Sequence, residues 1–166
     1  MIRVICTFVI VIAGAFSPLF SQEGPIKSFG DTHSERKFCL YPSTLRMINF
    51  EQNEEVNDWV NGIRKILIYQ LSADANYPEL SEAMNKYRSA GFEEYAQAFG
   101  GDRRLLLLGK EGRKDTFTGF AGADGSLYAF YITGSIRWEK IPIIIRQFQS
   151  NQLLNVFEFE PPEIDD

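Results

Sequence analysis

The chain has 166 residues, which suits one domain, and its formal net charge is −5, from 22 acidic and 17 basic side chains. This acidic balance argues against a nucleic-acid partner, because nucleic acids bind through clustered Lys and Arg. Aromatic residues make up 14% of the chain, enough for a well-packed core, so we expect no disorder beyond the chain ends.

Residues 1–22 have the pattern of a secretory signal peptide. Arg3 supplies a positive charge before an uncharged apolar run over residues 4–16. That run is shorter than the roughly 20 apolar residues of a membrane-spanning helix, which favours cleavage over a retained anchor. We therefore expect cleavage near Ser21 or Gln22, and a periplasmic or secreted product with no stable membrane anchor.

The segment after the cleavage site is polar. Residues 23–34 contain glycine, proline and aspartate, and we predict that they form a linker to a single domain over residues 35–150. The one histidine, His33, lies in this linker, and a solvated side chain is expected. Cleavage leaves Cys39 as the only cysteine, so no internal disulfide can form. Its strand-like surroundings predict a buried thiol.

The first half of the domain alternates strands with helices. Proline and polar caps begin the helices, and apolar residues at i, i+3, i+4 and i+7 give each longer one a buried face. The predicted elements are a strand over 35–41, a short helix over 43–49, a helix over 53–63, a strand over 64–72 and a helix over 78–91.

From residue 92 the apolar period becomes that of strands. Short loops with Gly and Asp separate four such segments, which predicts an antiparallel four-stranded meander over residues 92–99, 103–111, 116–121 and 127–133. A last helix follows over 139–149, and residues 151–166 form an acidic, flexible tail. The predicted fold class is an α+β two-layer sandwich, a mostly antiparallel sheet with helices packed on one face.

Three of the predicted strands are apolar at consecutive positions, as in Leu105 to Leu108. A sheet with one wet face should alternate instead. The simpler explanation is that the amino- or carboxy-terminal segment covers the second face. The alternative is an interaction surface for an envelope protein partner or a second copy of the chain, with the following side chains on it: Tyr69, Leu107, Tyr128 and Tyr131.

Several segments, in order, are similar to one known family. They are Tyr41 to Leu45, the block from Trp59 to Leu71, Phe92 to Tyr95, and Tyr131 to Ile136. Over residues 26–150 the chain resembles the exported proteins, mainly of Bacteroidota, that are catalogued as domain of unknown function 4252. The resemblance implies a cell-envelope location and a link to envelope signalling. That family has no established activity, so the resemblance implies no site residues.

No residue pattern predicts catalysis, a cofactor or a metal. One histidine and one cysteine do not make a typical zinc site, and the glycines at 119 and 122 lack the Lys-Ser/Thr and helix of a phosphate loop. The leading interpretation is a non-catalytic binding or protein-interaction module of the cell envelope. The alternatives are a periplasmic carrier of a small apolar ligand and, less favoured, a glycan hydrolase whose two carboxylates face one cleft.

Overall fold

The computed structural model describes residues 23–48, 57, 60–73, 75, 77–100, 103–112, 115–123 and 125–149. Within them, six strands form one sheet, in which all neighbours are antiparallel. The strands are β1 Ser34–Leu40, β2 Ile63–Leu71, β3 Glu93–Gly100, β4 Arg103–Lys110, β5 Asp115–Ala123 and β6 Ser126–Gly134. Their spatial order is β1-β2-β6-β5-β4-β3, so the α+β class and the predicted meander are confirmed.

The helices of the described residues lie before, between and after these strands. They are α1 Gly24–His33, α2 Pro42–Ile48, α3 Tyr77–Ser89 and α4 Ile141–Gln149, with a 3₁₀ turn over Trp138–Lys140. Residues 60–62 are also helical. Most of the helix predicted over 53–63 lies outside the described residues, as do the predicted signal peptide and the acidic tail.

Both faces of the sheet carry helices, whereas the sequence predicted helices on one face. We define the first face as the one under α1 and α3, and the second face as the one under α2 and α4. Each face has its own apolar cluster, to which β2 contributes in alternation: Leu67 and Tyr69 belong to the first, Ile66 and Ile68 to the second. A strand between two cores is apolar at consecutive positions for this reason.

Residues 24–33 form a helix and not the predicted linker. Pro25 lies in the first turn, where proline is tolerated, and Ile26 and Phe29 point into the core of the first face. Gly30 allows close packing, because a Cβ there would lie 2.4 Å from the ring of Tyr69. The glycine and proline that suggest a linker in the sequence therefore serve a short, tightly packed helix.

Cys39 is exposed, contrary to the predicted burial. Strand β1 is at one edge of the sheet, and Leu40 beside Cys39 is buried in the cluster of the second face. Since neighbouring strand residues point to opposite faces, Cys39 is directed to the other side, where it remains exposed. Strand-like sequence alone does not distinguish an edge strand from a central one.

Candidate functional site

The four side chains predicted to form an interaction face are all buried. Tyr69 and Tyr131 lie in the cluster of the first face, and Leu107 and Tyr128 lie in that of the second. Burial raises the pKa of Tyr131 to about 12. These residues therefore share no single face, and helices cover them within one chain.

An open cleft of about 440 Å³ lies at one end of the sheet. The β4–β5 hairpin supplies Glu111 and Asp115 to it, and the chain leaving β6 supplies residues 135–139. The register brings these two segments together, since Asp115 pairs with Gly134 at the end of the β5–β6 ladder. The cleft thus combines residues from two connections that meet at the same end of the sheet.

One aromatic ring, that of Trp138, lines this cleft, and a second ring packs against it. Trp138 is 40% exposed, and its ring centroid lies 5.9 Å from that of Tyr95 on β3. Tyr95 in turn contacts the buried Phe117 edge to face at 5.7 Å. Packing on two sides restricts the rotamers of Tyr95, so Trp138 rests against a fixed neighbour.

Backbone features of β3 and β4 make room for the Tyr95 ring. The register of β3 against β4 shifts between Glu94 and Ala96, a bulge of the kind that re-aims a side chain. Opposite it, Gly109 has no side chain, and a Cβ there would lie 2.7 Å from the Tyr95 ring. A larger residue at position 109 would displace the ring, and with it the neighbour of Trp138.

The carboxylates of the cleft all accept hydrogen bonds. Glu111 accepts one from the Tyr95 hydroxyl at 2.6 Å, and Asp115 accepts one from the backbone N–H of Gly112 at 3.3 Å. The bond to Glu111 raises the pKa of Tyr95 to about 12. Glu139 pairs with Arg137 at 3.3 Å, and hydrogen bonds from its own backbone N–H and from Arg137 lower its pKa. The cleft therefore presents anionic acceptors beside one guanidinium donor.

His33 has a structural partner instead of the predicted solvated position. Its Nε2 lies 2.8 Å from Oε2 of Glu79 on α3, and its ring lies 4.7 Å from that of Phe29. The contact with Glu79 joins the end of α1 to the start of α3. Among the described residues, no group of His, Cys, Asp and Glu side chains is arranged to hold a metal ion.

A larger cleft of about 830 Å³ opens beside Pro42, Asn61, Arg64 and Ser135. Gly62, Ile63 and Gly134 complete its described lining. Its described walls lack an aromatic side chain, so we assign it no role. No helix among the residues described is both long and apolar enough to cross a membrane.

Comparisons with known proteins identify no relative. No protein-family model, curated protein or solved structure matches the chain. The resemblance to domain of unknown function 4252 therefore stays a prediction. The sequence did not predict this cleft. In the sequence, Trp138 is only an aromatic residue near the start of a predicted helix.

Proposed function

We propose that this protein is an exported, non-catalytic binding module of the bacterial cell envelope, and that it binds its ligand in the cleft at Trp138. The observation that carries this proposal is that the exposed Trp138 ring packs against Tyr95 and lies among hydrogen-bonding groups. A ring held in place before binding loses little conformational entropy when a ligand contacts it. An aromatic anchor with a few directed polar groups is the usual composition of a binding site.

The hydrogen bonds that the carboxylates of the cleft accept are consistent with binding without catalysis. A glycan hydrolase needs one carboxyl group that carries a proton to the leaving oxygen. In this cleft Glu111, Asp115 and Glu139 each accept a hydrogen bond, and the bonds to Glu139 lower its pKa. A lowered pKa favours the ionised form of Glu139, which cannot supply that proton.

The carrier interpretation has less support than binding at the cleft. A carrier of a small apolar ligand needs an apolar cavity between sheet and helices. In the described residues that space is occupied on both faces by the two apolar clusters. The open cleft, by contrast, has carboxylates and a guanidinium along its walls, which a wholly apolar ligand would leave without hydrogen bonds.

Photo-crosslinking in living cells tests the proposal. The full chain, with its own amino terminus, is expressed in its native host with a photoreactive phenylalanine derivative in place of Trp138. A matched variant carries the same group in place of Met47, which is exposed on α2 and is not among the residues that line the cleft. We expect a discrete cross-linked product from position 138 and none of that mass from position 47.

The same experiment can overturn the proposal. Equal product patterns from both positions, or no product from position 138, would mean that the cleft is not a binding site. Localisation is read from the same cells by fractionation. Retention of the intact chain in the cytoplasm would contradict export.

A further inference from the structure

We infer that the ligand of this cleft is a carbohydrate, with one pyranose ring stacked on Trp138. The inference rests on the proposed binding function and names its ligand class. A pyranose ring has an apolar face of C–H groups and a rim of hydroxyl groups. The cleft offers a matching pair of surfaces, one aromatic and one polar.

The aromatic surface is provided by Trp138, which lines the cleft and is 40% exposed. A planar indole buries a large apolar area at low entropic cost, since only two side-chain torsions need to be fixed. Its contact with Tyr95, 5.9 Å between centroids, limits the movement of the ring. Stacking on such a ring is tolerant of chemical detail, so the aromatic contact supplies affinity more than selectivity.

The polar surface matches hydroxyl groups, which both donate and accept hydrogen bonds. Glu111, Asp115 and Glu139 are acceptors only, and each carboxylate has lone pairs beyond the hydrogen bonds described above. Arg137 is a donor only, and its side chain is 82% exposed. Acceptors and a donor within one cleft can form hydrogen bonds with adjacent hydroxyl groups of one sugar, because each hydroxyl group can act as donor and as acceptor.

Other ligand classes fit this cleft less well. A phosphate or a nucleic acid would meet three carboxylates, whose repulsion outweighs one arginine. A lipid chain would leave the polar walls unpaired. A cationic peptide would be attracted by the carboxylates and by the aromatic face, but its ammonium and guanidinium groups only donate hydrogen bonds and so leave the Arg137 donor without an acceptor. A neutral glycan meets none of these penalties.

The test uses three soluble oligosaccharides as probes: chitohexaose, cellohexaose and maltoheptaose. Binding to the exported, purified protein is measured by isothermal titration and by tryptophan emission. The chain has two tryptophans, so Trp59→Phe leaves Trp138 as the single reporter. We expect at least one probe to bind and to shift the emission of Trp138. Trp138→Ala should weaken binding about tenfold or more, which is the scale of a lost aromatic contact.

Matched variants separate a stacking role from a structural one. Trp138→Tyr keeps an aromatic face and should retain binding within about threefold, whereas Trp138→Ala should not. Met47→Ala should leave binding unchanged. Circular dichroism of all three variants must match the parent, so that lost binding cannot be due to unfolding.

The outcomes distinguish this inference from the function on which it rests. Failure of all three probes up to about 10 mM, with a cross-link still formed at position 138, overturns the carbohydrate class and leaves the binding function. If tetralysine binds at Trp138 and the oligosaccharides do not, the carbohydrate class is again overturned while the binding function remains, and the ligand is a cationic peptide. Oligosaccharide binding that Trp138→Ala does not weaken overturns the assignment to this cleft. If none of the oligosaccharides binds and no cross-link forms at position 138, both proposals are contradicted.

Discussion

The two faces of the sheet are covered to different extents. On the first face, helices of 10 and 13 residues lie against each other, and the Ile26 N–H of α1 donates to the Tyr87 hydroxyl of α3 at 3.3 Å. On the second face, the described cover consists of α2 with 7 residues, α4 with 9 residues and the helical residues 60–62, and the cleft at Trp138 opens where the chain turns toward α4. Among the described residues, the longer helices therefore cover the first face, whereas the second face leaves an open cleft in which a ligand can be bound.

The largest effect is expected from a charged side chain placed inside one of the two apolar clusters. Leu107 is fully buried, and Leu107→Asp would place a carboxylate in an apolar cluster with no described partner. Such burial costs several kcal/mol, which is comparable with the whole stability of a domain. We expect insoluble or unfolded protein, measured as soluble yield and circular dichroism.

A matched substitution at an exposed position provides the control. Met47→Asp, at a side chain that is 73% exposed, should change the free energy of unfolding by less than about 0.5 kcal/mol. A soluble, folded monomer of Leu107→Asp would instead show that Leu107 lies on a free face. That result would revive the interaction surface predicted from the sequence.

The next largest effect tests whether α1 packs against the first face. Ile26 is fully buried, and Ile26→Ala should lower the free energy of unfolding by about 2–4 kcal/mol, since it leaves a cavity under the helix. Urea denaturation measures this change. Lys27→Ala, one residue further and exposed, should have little effect. Equal, small effects of both substitutions would mean that residues 23–34 are a linker after all.

A smaller effect is expected from the ion pair that ties α1 to the sheet. Lys65 Nζ lies 2.9 Å from Glu23 Oε2, and this hydrogen bond raises the pKa of Lys65 above 10.5. Glu23→Gln should cost about 0.5 kcal/mol at pH 7. Because the lysine pKa is raised by folding, this contribution is complete below pH 10.5 and is lost as pH rises through the folded pKa.

Chemical denaturation at pH 7 and above pH 10.5 checks this prediction. The difference between the parent and Glu23→Gln should shrink at the higher pH. Glu35→Gln, at an exposed carboxylate of β1, is the control and should show no such dependence. A difference that stays constant or grows with pH would contradict the assigned ion pair.

The smallest effect is spectroscopic and concerns the hydrogen bond between Tyr95 and Glu111 beside the cleft. The hydrogen bond to Glu111 raises the pKa of Tyr95 to about 12, so this phenol should ionise later than an exposed one. Glu111→Gln removes the charge and should move one tyrosine toward its ordinary pKa of 10.0. Absorbance titration near 295 nm, taken as a difference from the parent, measures this. An unchanged titration curve would mean that Tyr95 and Glu111 are not bonded in solution.

Much of the fold was predictable from local pattern. The meander was predicted because Gly- and Asp-containing loops separate apolar runs, and β3 to β6 do follow one another in the sheet. Predicted strand limits were within a residue or two of the observed ones. Helix α1 was missed because its buried stripe comprises Ile26 and Phe29 on a short helix, beside Gly and Pro that suggest a turn.

The candidate site was not predictable, since its parts are distant in the sequence. Tyr95 and Trp138 are on different elements, and their rings come into contact only in the folded chain. Conversely, Tyr69 and Tyr131 were assigned to an interaction face because strand periodicity does not reveal how many faces are covered. Burial by α1 and α3 decided their role.

Local residue patterns were sufficient to predict the chain order of the six strands, the strand periodicity and the turns of the meander. These depend on side-chain spacing and backbone preference within a few residues, which any window of the chain contains. The folded structure alone shows which face each helix covers, that Cys39 is exposed and that a cleft forms at Trp138. These depend on packing between segments far apart in the chain, where the same apolar residue can be core or surface according to what lies against it.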